Sequence, residues 1–207
     1  MIPLILDLRE RRVIIFGGGS VGLRKAAFFA EESEVIVLSR SFLPGFETLG
    51  VECRTLEASA MPDDKLSVLV RGAFLVVAAT SDRDLNDRIG ALCIQKGILF
   101  NNADGEAGNV IIPSVVRGDH YLVAVSTYGK SPGVARYLRM HIQDEWTDID
   151  SMIALQEEMR GRLKSLEPSQ QRRTDIIWKM LNDPELWDAL RHDRDAARTL
   201  ALRKYCP

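Results

Sequence analysis

The chain has 207 residues, 46% of them hydrophobic, and a formal net charge of −2. That length suits one domain or one and a half, with enough apolar mass for a real core. The near-balanced charge argues against bulk binding to nucleic acid or an anionic membrane, and no apolar run is long enough to span a bilayer.

Asp7, Arg9 and Glu10, then Arg11 and Arg12, interrupt the N-terminus before it can read as a signal peptide. A cytoplasmic location is therefore the expectation. Cys53, Cys93 and Cys206 are odd in number and far apart, and His120, His141 and His192 are equally scattered. Neither a disulfide framework nor a protein-built metal cage is expected.

The first half alternates strand and helix signals, the pattern of a parallel α/β sheet. Residues 13–16 read as the first strand and 20–31 as the first helix. Residues 34–38 and 51–56 read as the next two strands. Residues 62–70 form a short helix, with Asp63 and Asp64 in its first turn, where acidic groups suit the helix dipole. Residues 74–79 are wholly apolar, which places that strand centrally. Thr80-Ser81-Asp82 is a capping cluster ahead of a helix over 84–96, which Gly97 stops. A strand over 98–100 leads into the polar Asn101-Asn102-Ala103-Asp104-Gly105.

The rhythm then changes. Residues 110–113 and 121–126 read as strands with no helix between them, and Gly118-Asp119 is a plausible turn. A helix is expected over 132–146, with Pro132 at an early position where its missing N–H costs little. From Asp148 the pattern is helical, broken at Pro168 and Pro184. Ile149, Met152, Ile153, Leu155 and Met159 give one apolar stripe, and Ile176, Ile177, Met180 and Leu181 another. The expected architecture is a Rossmann-type parallel sheet over 1–113, a small α+β segment over 114–146, and a helical region over 147–207.

Gly17, Gly19 and Gly22 follow the first strand at the G-x-G-x-x-G spacing and open the first helix. Gly17 suits the tight turn, Gly19 a close approach of backbone to a pyrophosphate, and Gly22 close packing of helix on sheet. Ser20 and Val21 carry N–H groups at the helix start, where phosphates bind. The cofactor expected is NAD or NADP. Arg40 and Ser41 end the second strand, where such sites usually carry Asp or Glu for the ribose hydroxyls. They border the adenine ribose in this reading. Arg40 equally suits a 2′-phosphate, or a plain surface cation. Thr80 stands at the carboxyl end of a central strand, where ligands bind, and reads as readily as a helix cap. Asp104-Gly105 is a common turn pair.

Five segments carry a resemblance when taken together and in order. They are Ile-Ile-Phe-Gly-Gly-Gly-Ser-Val-Gly-Leu-Arg-Lys-Ala at 14–26, Ala-Ala-Thr-Ser-Asp-Arg-Asp-Leu-Asn at 78–86, Asn-Asn-Ala-Asp at 101–104, Ile-Ile-Pro-Ser at 111–114, and Val-Ala-Val-Ser-Thr-Tyr-Gly-Lys-Ser-Pro-Gly-Val-Ala-Arg at 123–136. This set closely resembles the precorrin-2 dehydrogenase family, the dehydrogenase/ferrochelatase part of sirohaem synthesis, over about seven tenths of the chain. The family pattern usually has Ala where this chain has Gly22, and it tends to lack the ribose acid.

The resemblance implies oxidation of precorrin-2 to sirohydrochlorin with NAD+ as hydride acceptor. Some members also insert Fe2+ into the product, which the tetrapyrrole nitrogens bind. Asp104 matches the family's Asn-x-x-Asp aspartate and is implied as the base. Ser126, Thr127, Lys130, Ser131 and Arg136, with Arg117 nearby, suit the substrate's carboxylates. The family dimerises through the segment after the Rossmann half, which implies a homodimer built on 114–146. The 207 residues leave no room for the methyltransferase module of fused members, so a separate enzyme is expected to supply precorrin-2. The alternative is a non-catalytic NAD(H)-sensing Rossmann module. Such modules usually carry an acid after the second strand and lack Ser131-Pro132…Ala135-Arg136.

Overall fold

Five parallel strands build the first half: β1 (Arg12–Phe16), β2 (Glu34–Ser39), β3 (Glu52–Thr55), β4 (Leu75–Ala78) and β5 (Leu99–Asn102). Their spatial order is β3-β2-β1-β4-β5, the doubly wound arrangement in which the chain reverses direction beside β1. The computed structural model describes residues 1–103 and 108–206. The chain divides into two compact units, Met1–Ile112 and Pro113–Pro207.

Side-chain alternation along the strands assigns each face of the sheet its helices. Ile14, Phe16, Ile36, Leu38, Val76 and Ala78 face Leu66 of α2 (Asp63–Leu69) and Leu85, Ile89 and Cys93 of α3 (Arg83–Gln95). Val13, Ile15, Val35, Val37, Leu75 and Val77 face Ala26 and Phe29 of α1 (Ser20–Ala30). Because both faces are covered, β1 and β4 read as unbroken apolar runs. Phe16 and Phe100 are fully buried, and each contributes roughly 1.5–3 kcal/mol by area removed from water. Burial pushes the Cys93 thiol up to about 12, so it packs as an inert hydrophobe.

The two edges of the sheet differ. β3 is exposed along its length and carries an ion pair, Arg54 Nε to Glu52 Oε1 at 2.6 Å. β5 is bordered by the segment after residue 108. There the Val110 N–H donates to the Phe100 carbonyl (3.0 Å), and the Phe100 N–H donates to Asn109 Oδ1 (2.7 Å). Residues 110–113 are thus not the strand that their composition suggests. Val110 and Ile112 cover the sheet core instead. The strand comes later, as β6 (Ser114–Arg117), because Pro113 has no N–H to give to a ladder.

In the second unit β6 pairs antiparallel with β7 (Leu122–Val125), and the Gly118 N–H donates to the Tyr121 carbonyl at the turn. The long helix α4 (Pro132–Glu145) packs on this hairpin. Four helices follow: α5 (Ile149–Leu166), α6 (Gln170–Leu181), α7 (Pro184–His192) and α8 (Arg194–Tyr205). They enclose a core of their own around Met159, Leu163, Met180 and Leu186. Asp150 at the start of α5 accepts the Asp119 and His120 N–H groups, which ties the helices to the hairpin turn. A break not expected from the sequence falls at Asp193. Its N–H closes α7 on the Ala189 carbonyl, and its side chain caps α8 through the Asp195 and Ala196 N–H groups. Among the described residues no helix is long and apolar enough to cross a membrane.

Candidate functional site

The carboxyl ends of β1, β2 and β4 open into a cleft of about 570 Å³. Open α/β sheets bind ligands where the strand order reverses, and this cleft lies there. Gly17, Gly18 and Gly19 of the β1–α1 turn line it, and Gly17, Gly18 and the helical Gly22 are each required by a different close contact. Gly17 has φ +121°, and a Cβ on it would overlap the Ala79 carbonyl after β4. A Cβ on Gly18 would overlap the Ser41 carbonyl after β2. A Cβ on Gly22 would overlap the Gly17 carbonyl, so the close packing expected of Gly22 is made with the turn. Gly19 is the exception. Beyond its two chain neighbours no described atom lies within 4 Å of the Cβ it lacks, and the residue lines the cleft.

Gly19 is also the N-cap of α1, and no side chain caps that helix among the described residues. By contrast, α3 is capped by Asp82, whose carboxylate accepts the Leu85 N–H at 3.0 Å. The first N–H groups of α1 are thus left to the cleft. Ser20 and Val21 line it, and the positive end of the helix dipole faces it. A diphosphate fits this cradle: it supplies the acceptors that the helix start lacks, and Gly19 leaves it room.

The other residues expected at the nucleotide converge on the same cleft. Arg40, Ser41 and Thr80 all line it. The Thr80 hydroxyl lies 2.6 Å from Asn86 Oδ1, and Asn86 Nδ2 donates to the Thr80 carbonyl. Thr80 therefore shapes the β4 end, while the helix cap itself is Asp82. Sequence reasoning missed Glu57, which also lines the cleft and lies 3.4 Å from Arg40. The available signal was its place just past the end of the third strand, on the ligand edge of the sheet. Lys25, further along α1, is half-buried, and burial together with Arg24 lowers its ammonium to about 8.

Asp104 lies outside the described residues. The residues expected at the substrate belong to the second unit. The Thr127 hydroxyl donates to the Ser131 carbonyl (2.9 Å) and accepts the Ser131 N–H (3.0 Å), which clasps the loop before α4. Ser131 caps α4 through the Val134 N–H, and Ser126 Oγ accepts the Tyr128 N–H. Tyr128 and Gly129 take left-handed backbone (φ 55° and 81°), turning the chain between β7 and α4. Lys130 and Arg136 are exposed. Among the described residues no group of three His, Cys, Asp or Glu could hold a metal ion.

A family model described as NAD(P)-binding matches residues 4–114. A precorrin-2 dehydrogenase of Methanosarcina barkeri is 38% identical over 97% of this chain and 92% of its own length. The chain belongs to the precorrin-2 dehydrogenase family. A sirohaem synthase of Sodalis glossinidius is 31% identical over 87% of this chain, which spans only 38% of that longer relative. The solved structure titled SirC, precorrin-2 dehydrogenase has the same fold, with a TM-score of 0.71 over 99% of this chain and 98% of that one at 22% identity.

Proposed function

We propose that this precorrin-2 dehydrogenase family member oxidises precorrin-2 to sirohydrochlorin, with NAD+ as acceptor, in sirohaem synthesis. The observation that carries the reading is the open, uncapped cradle at Gly19, in a chain 38% identical to a precorrin-2 dehydrogenase over nearly its full length.

The reaction removes a hydride and a proton from the macrocycle. NAD+, when bound, supplies the hydride acceptor. The chain's own residues do the rest in this reading. The α1 N–H groups at Ser20 and Val21 hold the pyrophosphate, with Gly17 and Gly22 fixing the turn that presents them. Arg40 and Ser41 border the adenine ribose, and Thr80 the nucleotide's passage across the β4 end. Asp104 takes the proton; a carboxylate suits that task at neutral pH. Ser126, Thr127, Lys130, Ser131 and Arg136 receive the substrate's carboxylates, and the clasped loop before α4 supports that role. Fe2+ insertion into the product, if this chain performs it, uses iron as substrate on the tetrapyrrole nitrogens.

A homodimer through the 114–146 segment belongs to the same reading. Val134, Tyr137 and Leu138 share one face of α4 and are 49%, 60% and 42% exposed, an apolar stripe of the kind that a second copy covers. A cytoplasmic location belongs to the same reading.

An anaerobic assay with enzymatically generated precorrin-2 and NAD+, reading NADH and the sirohydrochlorin spectrum, tests the function. Stoichiometric NADH and sirohydrochlorin are expected. Folded protein that binds the nucleotide but gives no NADH from NAD+ and no NADPH from NADP+ would favour the sensing module instead. Adding Fe2+ to the completed reaction reads iron insertion as sirohaem formed faster than in a protein-free control.

A further inference from the structure

The usual ribose acid at the end of β2 is missing from this chain, yet the cleft lining includes a carboxylate, Glu57. It comes from the neighbouring strand. The parallel register sets Ser39 opposite Thr55, and the Leu56 N–H continues the pairing to the Ser39 carbonyl at 2.9 Å. Arg40, one residue past β2, and Glu57, two residues past β3, then both emerge on the cleft wall. Glu57 is held at both oxygens: Oε2 lies 3.4 Å from Arg40 Nε, and Oε1 accepts the Ser59 N–H at 3.4 Å.

We propose that Glu57 is a specificity-determining residue of the nucleotide site, selecting NAD over NADP by occupying Arg40 and placing a carboxylate at the adenosine ribose. The inference rests on the cofactor reading above. Its physical content is a competition for one guanidinium. Arg40 is the cation on this wall that suits a 2′-phosphate, and Glu57 already engages it. A 2′-phosphate would have to displace Glu57 from Arg40 and then lie beside a like charge. A ribose 2′-hydroxyl meets no such penalty and can donate to the carboxylate, as it does to the acid of the usual fingerprint. Both side chains are exposed on their outer sides, with 69% and 46% of their surface open to water. The pair therefore adds little to stability, and its role is read in ligand choice.

The test is calorimetric binding of NAD+ and NADP+, with 5′-AMP and adenosine 2′,5′-bisphosphate as probes of the ribose end alone, to the wild-type chain, Glu57→Gln and the double variant Glu57→Gln/Arg40→Ala. The quantity read is the ratio of affinities with and without the 2′-phosphate. Wild type is expected to favour the ligands that lack it. Glu57→Gln narrows the ratio by about tenfold, the scale of one Coulombic contact at a wet site. The double variant restores much of the ratio, because the freed Arg40 is what gains the 2′-phosphate. An unchanged ratio in Glu57→Gln, with wild type binding NAD+, overturns the inference and leaves the cofactor reading intact. A wild-type preference for the 2′-phosphate also overturns it. Wild type that binds none of the four ligands overturns the cofactor reading itself.

Discussion

Gly19→Val separates the cradle's function from its folding. Gly19 has φ −83° and ψ −171°, an extended conformation open to any residue. Beyond its two chain neighbours no described atom lies within 4 Å of its missing Cβ. The folded chain should therefore accept the side chain, losing at most about 1 kcal/mol because Val is a poorer N-cap than Gly. The same side chain would project into the space assigned to the pyrophosphate. Two charge-assisted hydrogen bonds from the helix start would lengthen or break, at about 1.5 kcal/mol each. The loss of about 3 kcal/mol is on the order of a hundredfold in NAD+ affinity. Calorimetric titration with NAD+ reads the affinity, and urea unfolding reads the stability. Retained affinity would refute the placement of the pyrophosphate at Gly19. Lost affinity with collapsed stability would refute the claim that the position is open.

Gly17→Ala should do the opposite, since a left-handed φ and the Ala79 carbonyl both reject a side chain there. A loss of about 3 kcal/mol, near 10 °C in melting temperature, is expected, and an unchanged melt would show that the turn can relax. Asp104→Ala should cut turnover about a hundredfold or more while NAD+ still binds; full turnover in the anaerobic assay would remove Asp104 from the mechanism. Asp183 caps α7 and accepts from Lys204 Nζ (2.9 Å) and Tyr205 Oη (2.8 Å), and Lys204 first, then the Tyr205 hydroxyl, hold its carboxyl below the ordinary 3.8. Its folded pKa is depressed, so its stabilisation is fully present above that ordinary value and lost as pH falls through the folded one. Asp183→Asn should cost about 2 kcal/mol at pH 7, and the gap to wild type in urea should narrow as pH falls below the ordinary 3.8 and through the depressed folded value; a gap independent of pH would contradict the ion pair.

What the sequence disclosed depends on how local each cause is. The runs at β1 and β4 were legible because burial on both faces demands unbroken apolar stretches. The glycine turn was legible because backbone conformation and close approach exclude other residues at fixed spacing. Glu57 was not, since its meeting with Arg40 exists only through the register of two parallel strands. Residues 110–113 misled because an apolar segment covering a sheet has the composition of a strand within one; only Pro113 marked the difference. Asp193 gave little sign of a break because one residue closes one helix and opens the next.

Neither side of the five-stranded sheet offers a ready place for another strand. Along β3 the exposed side chains include an ion pair, Glu52 with Arg54, which a flat apolar segment would have to desolvate. Along β5 the chain's own residues 109 and 110 already take the Phe100 N–H and carbonyl. The first unit is thereby insulated against growth by strand addition, the common route to unwanted polymers. Contact between copies is steered away from backbone edges and toward side-chain faces, where partner choice can be selective.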